Sequence, residues 1–250
     1  MANYLTIERL RHLFRIKMLN GYSVVADKIG VVKMKYQAVL FDLDGTLLNT
    51  LEDLADSMNR VLSRLGYATH QVDKYRFFVG DGMEMLAARA LPSNSSLEEI
   101  KKCGIAMREE YGKHWGDKTH AYPGIPELLT GLAQQKIQFA VLSNKPDPLT
   151  KLIIKEMLSD WHFQPVIGAR EGVPKKPDPS VALEIASTLQ IEPEKFLYLG
   201  DTDTDMKTAT AARMYPIGVL WGFRTGEELL ASGAKTLIHE PPELLRLLKE

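Results

Sequence analysis

The sequence has a single cysteine, Cys103, in 250 residues, only three tryptophans and no surplus of either charge. A lone cysteine rules out an intrachain disulfide framework and a cysteine-based zinc site, and it suits a reducing, cytoplasmic location. Lys and Arg number 31 against 32 Asp and Glu, a formal net charge of −1. That balance gives no basic excess, so no nucleic-acid partner is expected. No apolar run approaches the ~18 residues needed to span a bilayer, so no membrane partner is expected either. What is present is ordinary globular composition, 45% hydrophobic and 25% charged, with chain enough for one or two domains.

Residues 1–33 read apart from the rest. Ile7, Leu10, Phe14 and Met18 recur at helical spacing with Arg9, Arg11, Arg15 and Lys17 between them, the pattern of a basic amphipathic helix. The segment lacks the apolar region and cleavage site of a secretory signal, and Glu8 with the absence of Ser clusters argues against a transit peptide. The preferred reading is that Met34 is the working start and that 1–33 is an N-terminal extension outside the core fold. A chain beginning at Met34 is then expected to fold with full activity.

From Met34 onward, short apolar runs alternate with longer amphipathic ones. Ala38–Phe41, Phe139–Leu142, Val166–Ile167, Phe196–Leu199, Ile217–Leu220 and Thr236–Ile238 read as strands buried on both faces. Ile125–Gln134, Leu149–Leu158, Ser180–Leu189 and Thr204–Ala212 read as the helices between them. The pattern predicts an α/β fold, a Rossmann-like three-layer core with a parallel sheet, built from 34–49 and 122–250. Residues 50–121 interrupt it with helical patterns alone: a stripe from Leu51 to Leu65 ending at Gly66, then Val72–Val79, Met83–Ala90 and Leu97–Trp115. Thr50 and Asp53 have capping-box spacing at the first of these helices. The interval is expected to be an inserted all-helical cap.

Chemistry gathers where strands end. Asp42 and Asp44 follow the first strand, Ser143 and Asn144 the second, Asp201 and Asp205 the fourth. An open parallel sheet binds ligands outside the carboxyl ends of its strands, so these residues should meet at one edge. Asp42 and Asp44, two apart, would point to the same side if the strand persisted that far. Carboxylates crowded together repel, and a hard divalent cation relieves the repulsion, which suits Mg²⁺ better than zinc or copper. A second acidic cluster after another strand makes a metal-assisted phosphoryl site a better account than turn chemistry alone.

These residues resemble the haloacid dehalogenase superfamily. Phe41-Asp42-Leu43-Asp44-Gly45-Thr46-Leu47 is similar to its first motif, Ser143-Asn144-Lys145 to its second, Lys176-Pro177 to its third and Gly200-Asp201-Thr202-Asp203-Thr204-Asp205 to its fourth, in the family's order. The segments around Val79-Gly80-Asp81-Gly82, Tyr122-Pro123-Gly124 and Ile217–Gly222 look like its phosphoglycolate phosphatase branch. The resemblance implies that Asp42 is a nucleophile forming an aspartyl-phosphate and that Asp44 is the general acid, then base. It also implies that Lys176 is a catalytic cation on the phosphoryl group. Mg²⁺ would be held by Asp42, the backbone carbonyl of Asp44 and Asp201, with Asp205 farther out or acting through water. Ser143 and Asn144 would bind the phosphoryl group, Thr46 would brace the first loop, and Gly80 and Asp81 would lie in a cap loop closing over substrate. Lys175 is the neighbour that could replace Lys176; the family pattern favours the residue before Pro. Arg213 departs from the pattern, standing where relatives carry a helix-ending Gly.

The expected function is Mg²⁺-dependent hydrolysis of a small phosphate monoester, with 2-phosphoglycolate as first guess. A phosphomutase, a 5'-nucleotidase, a pyrophosphatase or a non-catalytic binding protein are the alternatives; a dehalogenase is disfavoured because Asp44 supplies an acid that ester hydrolysis needs. Oligomeric state is not fixed by the sequence, with a monomer preferred. The six histidines have no metal-ligand spacing, Trp115, Trp161 and Trp221 read as core or rim, and Lys145-Pro146 lacks the glycine-rich run of a phosphate-binding loop.

Overall fold

The computed structural model describes residues 35–248, so the reading of 1–33 lies outside it. Six strands, β1 (Ala38–Phe41), β4 (Gln138–Pro146), β5 (Val166–Ala169), β6 (Phe196–Gly200), β7 (Tyr215–Val219) and β8 (Thr236–Ile238), form one parallel sheet in the order β5-β4-β1-β6-β7-β8. The apolar runs are continuous because both faces are covered. On β1, Val39 and Phe41 pack with α4 (Ile125–Gln134) and α5 (Asp147–Met157), whereas Ala38 and Leu40 pack with α6 (Ser180–Leu189) and α7 (Asp203–Ala211). Leu197 and Leu199 of β6 join the first face, Phe196 and Tyr198 the second. A side-chain period of two thus divides each strand between two cores, giving the three-layer, Rossmann-like arrangement.

β1 lies between β4 and β6, so the chain builds one half of the sheet and then crosses back to build the other. The reversal opens a crevice at the carboxyl ends of these strands, the place where such sheets bind ligands.

Between β1 and β4 come α1 (Leu51–Arg64), a 3₁₀ turn at Val72–Phe77, α2 (Met83–Ala90) and α3 (Leu97–His114). They share an apolar core of their own, including Leu54, Met58, Tyr75, Leu86, Cys103 and Met107. The chain enters this layer through β2 (Leu48–Asn49) and leaves through β3 (His120–Ala121), which pair antiparallel as a two-residue ribbon.

Several boundaries differ from the sequence reading. β4 continues through Ser143 to Pro146, and α5 starts at Asp147 rather than Leu149. Pro148 is no obstacle, because the first turn of a helix has no use for its missing N–H. Val72–Val79 forms a 3₁₀ turn over Val72–Phe77 in place of an α-helix. The capping box expected at Thr50 and Asp53 does not form. Thr50 Oγ1 donates instead to Asp44 Oδ1 at 2.7 Å. Asp53 Oδ2 accepts from Lys118 N (2.9 Å), Thr119 N (2.8 Å) and Thr119 Oγ1 (2.8 Å). Tertiary partners outcompete the local cap and tie the two crossings of the chain together. Reciprocal boxes form elsewhere, at Ser96–Glu99 on α3 and Thr202–Asp205 on α7. Arg213, just past α7, has a φ of 61°, the left-handed conformation that glycine takes without strain. Two short helices, α8 (Gly226–Ala231) and α9 (Leu244–Leu247), carried no sequence signal strong enough to be expected. Among the described residues no helix is long and apolar enough to cross a membrane.

Candidate active site

β1 ends at Phe41, and the chain turns at once: Leu47 N and Leu48 N donate to Leu43 O, and Gly45 N to Leu48 O. The turn needs Gly45, which has a φ of 84° and lies so close to Asp201 that a Cβ there would overlap the carboxylate. Because the strand stops before Asp42, the alternation that would have set Asp42 and Asp44 side by side does not apply. The two carboxylates meet different lysines.

Asp42 is 6% exposed and accepts from Lys176 Nζ at 2.7 Å. Lys176, also buried, donates a second bond to Asp205 Oδ1 at 2.6 Å. Lys175 is exposed, so of the two adjacent lysines Lys176 is the one turned inward. Asn144 holds it there: its Oδ1 accepts from Lys176 N (3.0 Å), while its Nδ2 donates to Lys176 O and to Gly80 O (3.1 Å each). Asp205 Oδ2 is occupied by Thr202 Oγ1 (2.7 Å) and Thr202 N (3.1 Å), the capping box of α7. Asp201, fully buried, accepts from Thr46 Oγ1 (3.2 Å) and Phe223 N (2.8 Å). Trp221 Nε1 donates to Thr46 O at 2.9 Å, so the loop after β7 braces the loop after β1.

One oxygen from each of Asp42, Asp201 and Asp205 lies within 4.8 Å of the others. Burial, then the charge of Asp205, pushes Asp42 up from 3.8 to about 7, although Lys176 opposes the shift. Burial and the neighbouring Asp42 and Asp205 hold Asp201 well above the carboxylate range. Burial alone would pull the Lys176 ammonium down, yet Asp205 and Asp42 hold it well above 10.5. One lysine cannot balance three crowded carboxylates, so the cluster is short of positive charge. This all-oxygen, anionic donor set fits a hard divalent cation, and the triad could hold one.

Asp44 is placed differently. Its Oδ1 accepts from Lys145 Nζ at 2.6 Å and from Thr50 Oγ1 at 2.7 Å, and its carboxylate is not part of the triad. Lys145, 3% exposed, also donates to Tyr111 Oη of α3 at 2.9 Å. Asp42, Asp44, Ser143, Asn144, Gly80 and Lys145 line one cavity of about 30 Å³, closed on the helical side by Leu54, Val79, Met83 and Leu86. Thr46 and Asp81 are turned elsewhere. Thr46 faces Asp201, and Asp81 accepts from Thr204 Oγ1 at 2.8 Å and pairs with Arg89. The bond from Thr204 fastens the Gly80–Gly82 loop to α7, and the pair with Arg89 ties it to α2.

Tyr111 carries no signal in the sequence, and Lys145, Thr50 and Trp221 read there only as part of the second motif, a helix cap and core or rim, with no role of their own in the site. Lys145 had a signal: a strand read through to Pro146 would set it two residues beyond Ser143, on the same side.

A family model described as haloacid dehalogenase-like hydrolase matches residues 39–219. The phosphoglycolate phosphatase of Psychrobacter arcticus is 33% identical over 205 residues, covering 78% of this chain and 88% of its own. Phosphoglycolate phosphatase 1 of Pseudomonas aeruginosa is 30% identical over 204 residues, covering 80% of this chain and 75% of its own. A crystal structure from Lactobacillus delbrueckii subsp. bulgaricus, of a protein provisionally described as a phosphoglycolate phosphatase, superposes with a TM-score of 0.80 at 27% identity, covering 86% of this chain and 99% of that one. Motif order, sheet topology and the convergence of Asp42, Lys176, Asp201 and Asp205 agree with these matches: the chain belongs to the haloacid dehalogenase-like hydrolase family.

Proposed function

We propose that the protein is a Mg²⁺-dependent phosphatase that hydrolyses a small phosphate monoester, with 2-phosphoglycolate the leading substrate. The observation that carries this reading is the meeting of Asp42, Lys176, Asp201 and Asp205 at the carboxyl ends of β1 and β6, with Asp44 on the wall of the same cavity. Relatives named phosphoglycolate phosphatase support the choice of ester.

An Asp42 oxygen attacks phosphorus, the P–O bond to the leaving alcohol breaks, and Asp44 gives that oxygen its proton. Water then surrenders a proton to Asp44 and attacks phosphorus, releasing phosphate and restoring Asp42. Lys176 fixes the attacking carboxylate and sets positive charge beside the transferring group, and Ser143 adds a donor from β4. Mg²⁺, held by Asp42, Asp201 and the carbonyl of Asp44, with Asp205 behind, would supply charge neutralisation at the phosphoryl oxygens. The helical layer 50–121 acts as a cap on the core formed by 34–49 and 122–250, with the β2–β3 ribbon as its hinge. A buried lone Cys103 suits a reducing cytoplasm.

The test is phosphate release from 2-phosphoglycolate, sugar phosphates, nucleotides and pyrophosphate, with and without Mg²⁺. Metal-dependent release of phosphate from 2-phosphoglycolate, abolished by Asp42→Asn, is the expected result. An isomerised ester in place of free phosphate would make the protein a mutase.

A further inference from the structure

Lys145 is a buried cation that the hydrolytic steps above do not use. Its ammonium has three donors. Two go to Asp44 Oδ1 at 2.6 Å and Tyr111 Oη at 2.9 Å, and the third has no partner among the described residues. The ammonium also lies 4.7 Å from the centre of the Tyr111 ring, so the helical layer supplies both a hydroxyl and an aromatic face to a lysine rooted in the sheet. Lys176 also makes two such bonds, to Asp42 and Asp205, but it is not on the wall of this cavity. Of the two lysines buried among the described residues, Lys145 is the one on the cavity wall with a donor to offer an incoming anion.

The rest of the cavity narrows what that anion is. Leu54, Val79, Met83 and Leu86 face the space from the helical side and offer no partner for the hydroxyls of a sugar or a nucleoside. The space beside Lys145, about 30 Å³, admits only the small end of an ester, the rest lying toward the larger cleft that shares Met83 and Asn144. Apolar walls, little room and one ammonium beside the general acid describe a leaving group that is short, without a chain of hydroxyls, and negatively charged. A carboxylate one carbon from the bridging ester oxygen would reach Lys145 while that oxygen stays beside Asp44.

Resting on the phosphatase reading, we propose that Lys145, presented by Tyr111, binds the carboxylate of a short phosphate ester and so determines specificity for acidic over neutral leaving groups. The carboxylate takes the free donor of Lys145 and competes with Asp44 for the ammonium, so substrate recognition and the position of the general acid are joined at one nitrogen.

The experiment compares 2-phosphoglycolate with 2-hydroxyethyl phosphate, an ester of the same length whose terminal group is neutral, at saturating Mg²⁺. Wild type is expected to favour the acid. Charge-assisted hydrogen bonds contribute roughly 1.5–3 kcal/mol, so Lys145→Gln should lower kcat/KM for phosphoglycolate by about 10- to 150-fold, chiefly through KM. The hydroxyethyl ester loses only the shared contact with Asp44, so its loss should be at least about fivefold smaller than that for phosphoglycolate. Lys145→Met serves as a second variant should the glutamine disturb folding, and Arg108→Ala probes the adjoining cleft lined by Arg108 and Lys175. Equal losses on both esters would show that Lys145 only positions Asp44. Preference that survives in both Lys145 variants, or collapses in Arg108→Ala, would move the carboxylate elsewhere. Wild type that cleaves both esters equally overturns this inference alone, whereas wild type that cleaves neither overturns the phosphatase reading itself.

Discussion

Replacing Asp42 with Asn should make the metal-free protein more stable relative to wild type as pH rises. Asp42 sits at about 7 in the folded chain against an ordinary 3.8, chiefly through burial and then through Asp205. A carboxyl group raised in this way stabilises the fold in full while both states hold the proton, and progressively less as pH rises from the unfolded value to the folded one. Its contribution is complete below about pH 4 and is lost as pH rises through 7. Between pH 5 and pH 8 the folded state gives up a proton that the unfolded state has already lost, a change of about 3 kcal/mol. Asn does not ionise and escapes that change. The bond to Lys176, which opposes the rise, is already contained in that value, and Lys176 keeps Asp205 at 2.6 Å in the variant. The stability difference between variant and wild type should therefore move by about 3 kcal/mol in favour of the variant from pH 5 to pH 8, or roughly 6–12 °C in Tm for a chain of this size. Urea melts in EDTA at the two pH values measure it. A difference that stays constant, or moves toward wild type at pH 8, would mean that the pair with Lys176 outweighs the crowding and that the cluster is not short of positive charge.

The same crowding predicts that Mg²⁺ raises Tm more at pH 8 than at pH 5, because Asp42 and Asp201 hold protons that compete with the metal; an equal shift would place the cation elsewhere. Asp53→Ala strips three hydrogen bonds from a buried carboxylate and leaves the N–H of Thr119 without its acceptor, so urea unfolding should show a loss of about 3 kcal/mol or more. A loss below about 1 kcal/mol would show that the chain crossings are held by other contacts. Arg213→Gly should gain about 0.5–1 kcal/mol by relieving a φ of 61°. The exposed pair with Glu194 at 2.9 Å offsets little of that gain, and a destabilised variant would refute the account of the helix end.

The parts of the fold that were legible were those written in periodicity. Runs such as Ala38–Phe41 and Phe196–Leu199 announce strands covered on both faces, and the stripe Leu51, Leu54, Met58, Val61, Leu62 announces a helix with one buried side. Carboxylates just past strand ends were legible because a parallel sheet gathers such positions whatever the loops do. Where two partners compete for one side chain, the sequence is silent. Thr50 and Asp53 have the spacing of a capping box, but each finds a tertiary acceptor or donor that local spacing does not record. Thr46 reads as a loop brace, and only the folded chain shows that it braces by reaching Asp201 while Trp221 grips its carbonyl. Lys145 has no role of its own when β4 is read as ending at Leu142; four more residues of strand set its ammonium against Asp44. Tyr111 belongs to α3, far along the chain, and nothing near it in sequence connects it with β4.

The central claim is that the Asp42 carboxylate becomes phosphorylated during turnover, and acid quenching tests it most directly. Enzyme mixed with Mg²⁺ and ³²P-labelled phosphoglycolate, stopped within the first turnover and digested, should yield label on the peptide that contains Asp42. The label should be lost on treatment with hydroxylamine, as an acyl phosphate is, and should be absent from Asp42→Asn. Phosphate release that proceeds in wild type with no label on that peptide, or that persists in Asp42→Asn, would contradict the account.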